Sequence, residues 1–221
     1  MKRLLLVGVL SATLLAMAGM ANAVPVELRE AGVNNAQVVS ATFPNLGAQT
    51  VLAGFYQLQI ENKGTFNGFC VDPSWASSSY SEYDLRAIPE NSNYELAAYL
   101  LSLALADSNP SHAAAYQLAV WEIMFDPSSL NLTSGVFSVY GNASLVSLAT
   151  GYMNNALNAD LNTFDMSLFS FAASPGTGDS YGHGKQDYIV ATPAPVPEPS
   201  TLLLLGSGLL GLAAFRNRLG K

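Results

Sequence analysis

The chain has 221 residues, enough for one domain or two small ones, with half of them hydrophobic and a formal net charge of −7. Two apolar termini account for much of the hydrophobic content. Between them, residues 24–192 hold four basic residues (Arg29, Lys63, Arg86 and Lys185) against fifteen acidic ones, a net charge of −11, which argues against nucleic acid as a partner and suits a soluble domain outside the cell.

At the N-terminus, Met1-Lys2-Arg3 precedes an apolar run over residues 4–20 and then Ala21-Asn22-Ala23. A basic start, a hydrophobic stretch and small residues in an A-x-A arrangement predict a secretory signal peptide, residues 1–23, cleaved after Ala23. A retained membrane helix is the alternative reading. No Cys follows the cleavage site, which argues against a lipoprotein.

Residues 24–71 read as β-structure. Gln37-Val-Val-Ser-Ala-Thr-Phe43 and Gly54-Phe-Tyr-Gln-Leu-Gln-Ile60 are rich in β-branched and aromatic residues, and Pro44-Asn45-Leu46-Gly47 and Asn62-Lys63-Gly64 punctuate them. The alternation in Phe55 to Ile60 predicts one buried face. The middle then changes to a helical period. Ser92-Asn93-Tyr94-Glu95 has capping-box spacing ahead of a helix over residues 96–106. Asn109-Pro110 starts a second helix, with Asn as N-cap and Pro in the first turn, running to Phe125 before Asp126-Pro127. A third helix is expected over residues 144–157, with Leu145, Leu148, Tyr152 and Ala156 on one side. Strand-like runs return at residues 168–171 and 188–191, and residues 193–200 form a stiff Pro-rich linker. No period of 20–50 residues repeats, which argues against a solenoid. The predicted class is α+β: a β-rich sandwich or barrel-like framework over residues 24–192 with an inserted helical subdomain, flanked by the signal peptide and a C-terminal membrane-anchor helix.

The single cysteine, Cys70, lies in Gly68-Phe69-Cys70-Val71-Asp72. Alone it cannot form an internal disulfide; one reading is a buried Cys acting as a small hydrophobe between Phe69 and Val71. In the second helix, Gln117, Val120, Trp121 and Met124 stand at i, i+3, i+4 and i+7, which puts a primary amide on an apolar stripe. Buried without a partner it would cost on the order of 1–3 kcal/mol. A backbone group is one partner available to it, and the cysteine is the other. A thiolate pressed against the Gln117 carbonyl would displace ammonia and leave a Cys–Gln thioester, with the fold supplying the effective concentration.

Phe69-Cys70-Val71 followed by Gln117-x-Ala119-Val120-Trp121 resembles the paired signature of the thioester domains of bacterial surface adhesins. In that family a strand Cys is joined to a helix Gln within a β scaffold carrying a helical subdomain. The resemblance implies a covalent Cys70–Gln117 crosslink, with Phe69, Val71, Ala119, Val120 and Trp121 as the surrounding pattern; Tyr116 stands where the family usually has Thr. Such a crosslink acylates an amine once and does not turn over, so no enzyme is expected.

The C-terminus reads Val196-Pro197-Glu198-Pro199-Ser200, an apolar stretch over residues 201–215, and Arg216-Asn217-Arg218. Fifteen helical residues reach about 22 Å, short of the ~30 Å hydrocarbon core, and the cations favour a cytoplasmic end. The order resembles the PEP-CTERM sorting signal of Gram-negative bacteria, with Pro197, Glu198 and Pro199 as its motif. That resemblance implies anchoring of residues 201–221 in the inner membrane until an exosortase cuts near the motif. An ordinary single-span anchor is the alternative.

Other features carry less. His112 and His183 have no Cys or carboxylate at ligand spacing, so neither a metal nor another cofactor is expected. No Ser/His/Asp set, nucleotide loop or glycosidase pair stands out. Asp179 and Asp187 flank the Gly-rich residues 176–184, readable as a calcium loop or, more simply, a solvated one. Residues 77–83 read as a loop or a binding surface. The functional expectation is an exported surface or extracellular-matrix (biofilm) protein adhering through the thioester to an amine-bearing partner. The alternative is a non-reactive β-rich module that binds or scaffolds exopolysaccharide.

Overall fold

A computed structural model describes residues 23–72, 77–90, 92–175 and 185–192. The predicted signal peptide (but for Ala23), Asp179, His183, the linker, the Pro197-Glu198-Pro199 motif and the tail lie outside them.

Seven strands and three helices follow in order: β1 (Val24–Phe43), β2 (Gly47–Ile60), β3 (Gly64–Cys70), β4 (Ser81–Arg86), α1 (Asn93–Ala106), α2 (Ala113–Phe125), β5 (Ser138–Tyr140), α3 (Ala143–Leu157), β6 (Ser170–Ala173) and β7 (Tyr188–Val190). Every pairing is antiparallel. The order β2-β3-β7-β6-β4-β1, with β1 also paired to β2, closes six strands into a ring, and β5 adds to the far end of β1. The protein is thus a mixed α+β fold with a barrel-like antiparallel sheet.

The turns follow from residues that tolerate positive φ. Asn45 (62°) and Gly47 (69°) join β1 to β2, and Asn62 (59°) and Gly64 (111°) join β2 to β3. In β2, Tyr56, Leu58 and Ile60 point into one cluster with Leu28, Cys70, Tyr83, Leu85 and Tyr188, while Phe55 faces a second cluster shared with the helices. The alternation read in the sequence is therefore present, with both sides of the sheet covered here.

Three helical expectations need correction. Ser92 is the N-cap of α1, but its hydroxyl donates to Pro89 O rather than closing a capping box. The second helix opens as a 3-10 turn, Pro110–His112, with Asn109 Oδ1 accepting from Ser111 N at 3.1 Å; the α-helix proper begins at Ala113. It is buried on nearly every side, not along one stripe, because it contributes to both clusters: Leu118, Trp121 and Phe125 to the first, Tyr116, Ala119, Val120 and Ile123 to the second. In α3, capped by Asn142, the buried face is Leu145, Ala149, Met153 and Ala156, and Leu148 is exposed. The run at residues 168–171 divides into a 3-10 turn, Met166–Leu168, and β6, and part of the stretch read as a loop at residues 77–83 is the start of β4.

Candidate functional site

Cys70 ends β3. Its neighbours alternate: Cys70 faces the first cluster, and Phe69 and Val71 face the second, where Phe69 stacks on Phe55 with centroids 5.4 Å apart. Gly68, two residues earlier, allows the strands on both sides to close in, since a Cβ there would lie 2.6 Å from Leu58 Cδ1 and 2.7 Å from Ile189 O. Across the ladder Cys70 pairs with Tyr188, and Val71 N–H donates to Asp187 O at 3.0 Å.

Gln117, in the first half of α2, is wholly buried and lies against this strand end. Cys70 N–H donates to Gln117 Oε1 at 3.0 Å, and Gln117 Nε2 donates to Cys70 O at 2.8 Å. The structure thus brings these two residues together across 47 positions of sequence, and the amide is satisfied by the backbone of Cys70 itself. The thiol is also fully buried and donates to Asp72 O at 2.6 Å. Burial, then the charge of Asp72, pushes the thiol pKa well above its ordinary value, opposed by the indole N–H of Trp121. That N–H is near enough to act on sulfur, yet it makes no hydrogen bond of ordinary geometry. Ala119 and Val120 are fully buried in the second cluster, whereas Trp121 packs edge-on to Phe43 at 5.1 Å.

Beside Cys70 runs a polar seam that sequence reasoning missed. Tyr188 Oη donates to Gln186 Oε1 at 3.0 Å and lies 3.4 Å from Glu30 Oε2; Tyr83 Oη donates to Gln186 O at 3.0 Å. Burial raises the pKa of Glu30, and the Tyr188 hydroxyl opposes this. Only strand parity could have shown it: Glu30 shares a face of β1 with Leu28, but a bulge follows immediately.

A second polar cluster joins the helices. His112 Nδ1 lies 2.8 Å from both Asp107 Oδ2 and Tyr152 Oη, and Tyr116 Oη reaches the same carboxylate at 3.4 Å. Tyr116 and Tyr152 stack with centroids 3.8 Å apart. Asn109 Oδ1 accepts from Ser111 N, so its amide nitrogen faces His112 Nε2 and donates to it; the ring proton is then on Nδ1, directed at Asp107. This corrects the view of His112 as lacking a carboxylate, but a ring nitrogen occupied in this way is a poor metal ligand. Among the described residues no group of three His, Cys, Asp or Glu side chains could hold a metal ion, and no helix is long and apolar enough to cross a membrane.

Residues 195–218 match the PEP-CTERM protein-sorting motif. The chain is accordingly an exported protein sorted by an exosortase, associated with the membrane as a precursor. No curated protein and no solved structure matches it, and Cys70 and Gln117 lie outside the matched segment.

Proposed function

We propose that this protein, delivered by its sorting tail to the cell surface or extracellular matrix, carries an internal Cys70–Gln117 thioester and attaches through it to an amine-bearing partner. The observation that carries this reading is the two-point contact between the Gln117 amide and the Cys70 backbone. It holds the amide carbon over the residue that bears the nucleophile. It also aims Cys70 N–H, 3.0 Å away, at the oxygen that gains negative charge as a tetrahedral intermediate forms. Rotation about the Cys70 Cα–Cβ bond is the motion needed to turn sulfur from Asp72 O toward that carbon. The S–C bond then forms, the C–N bond breaks, and the thiol proton leaves with the nitrogen as ammonia. Enclosure of both groups excludes the water that would hydrolyse the product.

A second reading has its own support. An amide already satisfied by backbone and a thiol held protonated are also what an unreactive packing contact looks like, and the domain is then a β-rich module that binds or scaffolds exopolysaccharide. Intact mass separates the two. With the thioester, wild-type protein is lighter than its sequence by one ammonia and resists thiol reagents even when unfolded without added nucleophile. A small amine adds its whole mass to that form as an amide on Gln117 and frees the thiol. Cys70→Ala and Gln117→Ala each abolish the mass deficit. Full mass with a thiol that titrates on unfolding establishes the unreactive module instead.

A further inference from the structure

Glu30 is a carboxylate drawn into the seam beside Cys70, 3.4 Å from Tyr188 Oη. Val26, Leu28 and Glu30 alternate along β1, and the first two pack into the interior cluster, so Glu30 points inward. The regular ladder to β2 shifts register directly after it, between Glu30 and Val33, while its own N–H donates to Ser77 O at 2.8 Å, just past the end of the β1–β4 pairing at Leu28↔Ser81. A bulge at this point re-aims a side chain. The carboxylate is directed at Tyr188 Oη, 3.4 Å away, and Tyr188 is the cross-strand partner of Cys70. Glu30 remains half-buried rather than enclosed, so it stands between solvent and the seam. No Lys or Arg side chain is paired with it among the described residues: Arg29 instead donates to Gln59 Oε1 and covers the ring of Tyr80, and Arg86 pairs with Asp84. An inward carboxylate without a cation, its pKa raised by burial, fits a site that receives a cation from outside.

We propose that Glu30, with the Tyr188 hydroxyl, forms the subsite for the attacking nucleophile and selects a cationic primary amine. This rests on the thioester reading above. The ammonium docks on the Glu30 carboxylate and gives up one proton to it. The freed amine attacks the Gln117 carbonyl carbon; the N–C bond forms, the C–S bond breaks, and the second amine proton passes to the departing Cys70 sulfur. Glu30 returns its proton to solvent. The products are a secondary amide at Gln117 and a free thiol at Cys70.

The test compares wild type with Glu30→Gln, which keeps the shape and an acceptor for Tyr188. Intact mass first establishes that each carries the crosslink, and the time course of adduct formation is then followed at neutral pH with methylamine and with hydroxylamine. Methylamine arrives protonated and needs both docking and a base; hydroxylamine arrives neutral and needs neither. Glu30→Gln is expected to slow methylamine by about tenfold or more and hydroxylamine by less than about twofold, with Glu30→Asp recovering part of the methylamine rate. Equal rates for wild type and variant with methylamine overturn the Glu30 assignment and leave the thioester standing. An equal loss with both nucleophiles overturns it too, because a general disturbance of the site does not discriminate by charge. A wild-type protein of full mass overturns the thioester, and this subsite with it.

Discussion

At Glu122 a carboxyl is enclosed on the last turn of α2, with Oε1 accepting from Asn131 N and Oε2 without a partner. Burial pushes its pKa up to about 7, with the charge of Asp126 adding to the rise. A folded-state pKa raised from 4.5 means that this group's stabilisation is complete below pH 4.5 and is lost as pH rises through about 7. The whole effect is at most about 3 kcal/mol. Glu30 and Asp187 are shifted in the same direction by burial and add to the slope. Thermal melting should therefore show wild-type protein losing stability between pH 5 and 8, and Glu122→Gln losing less of it; equal slopes would put the effect elsewhere. The Asp107–His112–Tyr152 cluster is a different case, because it crosses three elements and is well satisfied. His112→Ala should cost about 1–2 kcal/mol by removing the donor to Asp107 and its contact with Tyr152, read as a lower denaturant midpoint. The sequence could not show this cluster, since Tyr152 lies 40 residues from His112. The contact between Cys70 and Gln117 was legible because an amide on an apolar helix stripe needs a partner and the two residues sit in paired motifs.

Among the elements, β3 is the most constrained around the site. Gly68 lets β2 and β7 close on it, and an added Cβ would meet backbone at Ile189 O, which cannot swing aside as a side chain can. Gly68→Ala should cost about 1–3 kcal/mol and displace the end of β3, so that the Cys70–Gln117 hydrogen bonds lengthen. Hydrogen exchange at Cys70 N–H should rise more than at the middle of α1. The second helix was readable because its start carries a side-chain signal, Asn109 accepting from a backbone N–H of the first turn; the third was read from its apolar spacing, and the Asn142 cap that starts it was passed over. Among the short strands, β7 was read at residues 188–191 from its apolar run, whereas the three residues of β5 are too few for an alternation to register, and tertiary pairing makes them a strand. The single apolar stripe expected for α2 failed because tertiary packing covers the helix all round. A helix covered on both flanks has no single apolar stripe, so spacing within it picks out a face that is not there.

For the whole molecule, delivery and domain are separable. The sorting motif occupies residues 195–218, while the ring ends at Val190. Removing residues 201–221 should move the protein from the membrane to the soluble fraction without changing the melting temperature of the domain. Unchanged membrane association on fractionation would assign the anchor elsewhere. The same order along the chain governs when the domain can form. β1 to β4 alone make an open sheet, β3-β2-β1-β4, and only the β6–β7 pair bridges its two edges, β6 to β4 and β7 to β3. The closing pieces follow every other strand of the ring in chain order. A chain threading through a translocation channel therefore keeps two bare edges until residue 190 has emerged, and the backbone of Cys70 lacks its partner in β7 until then.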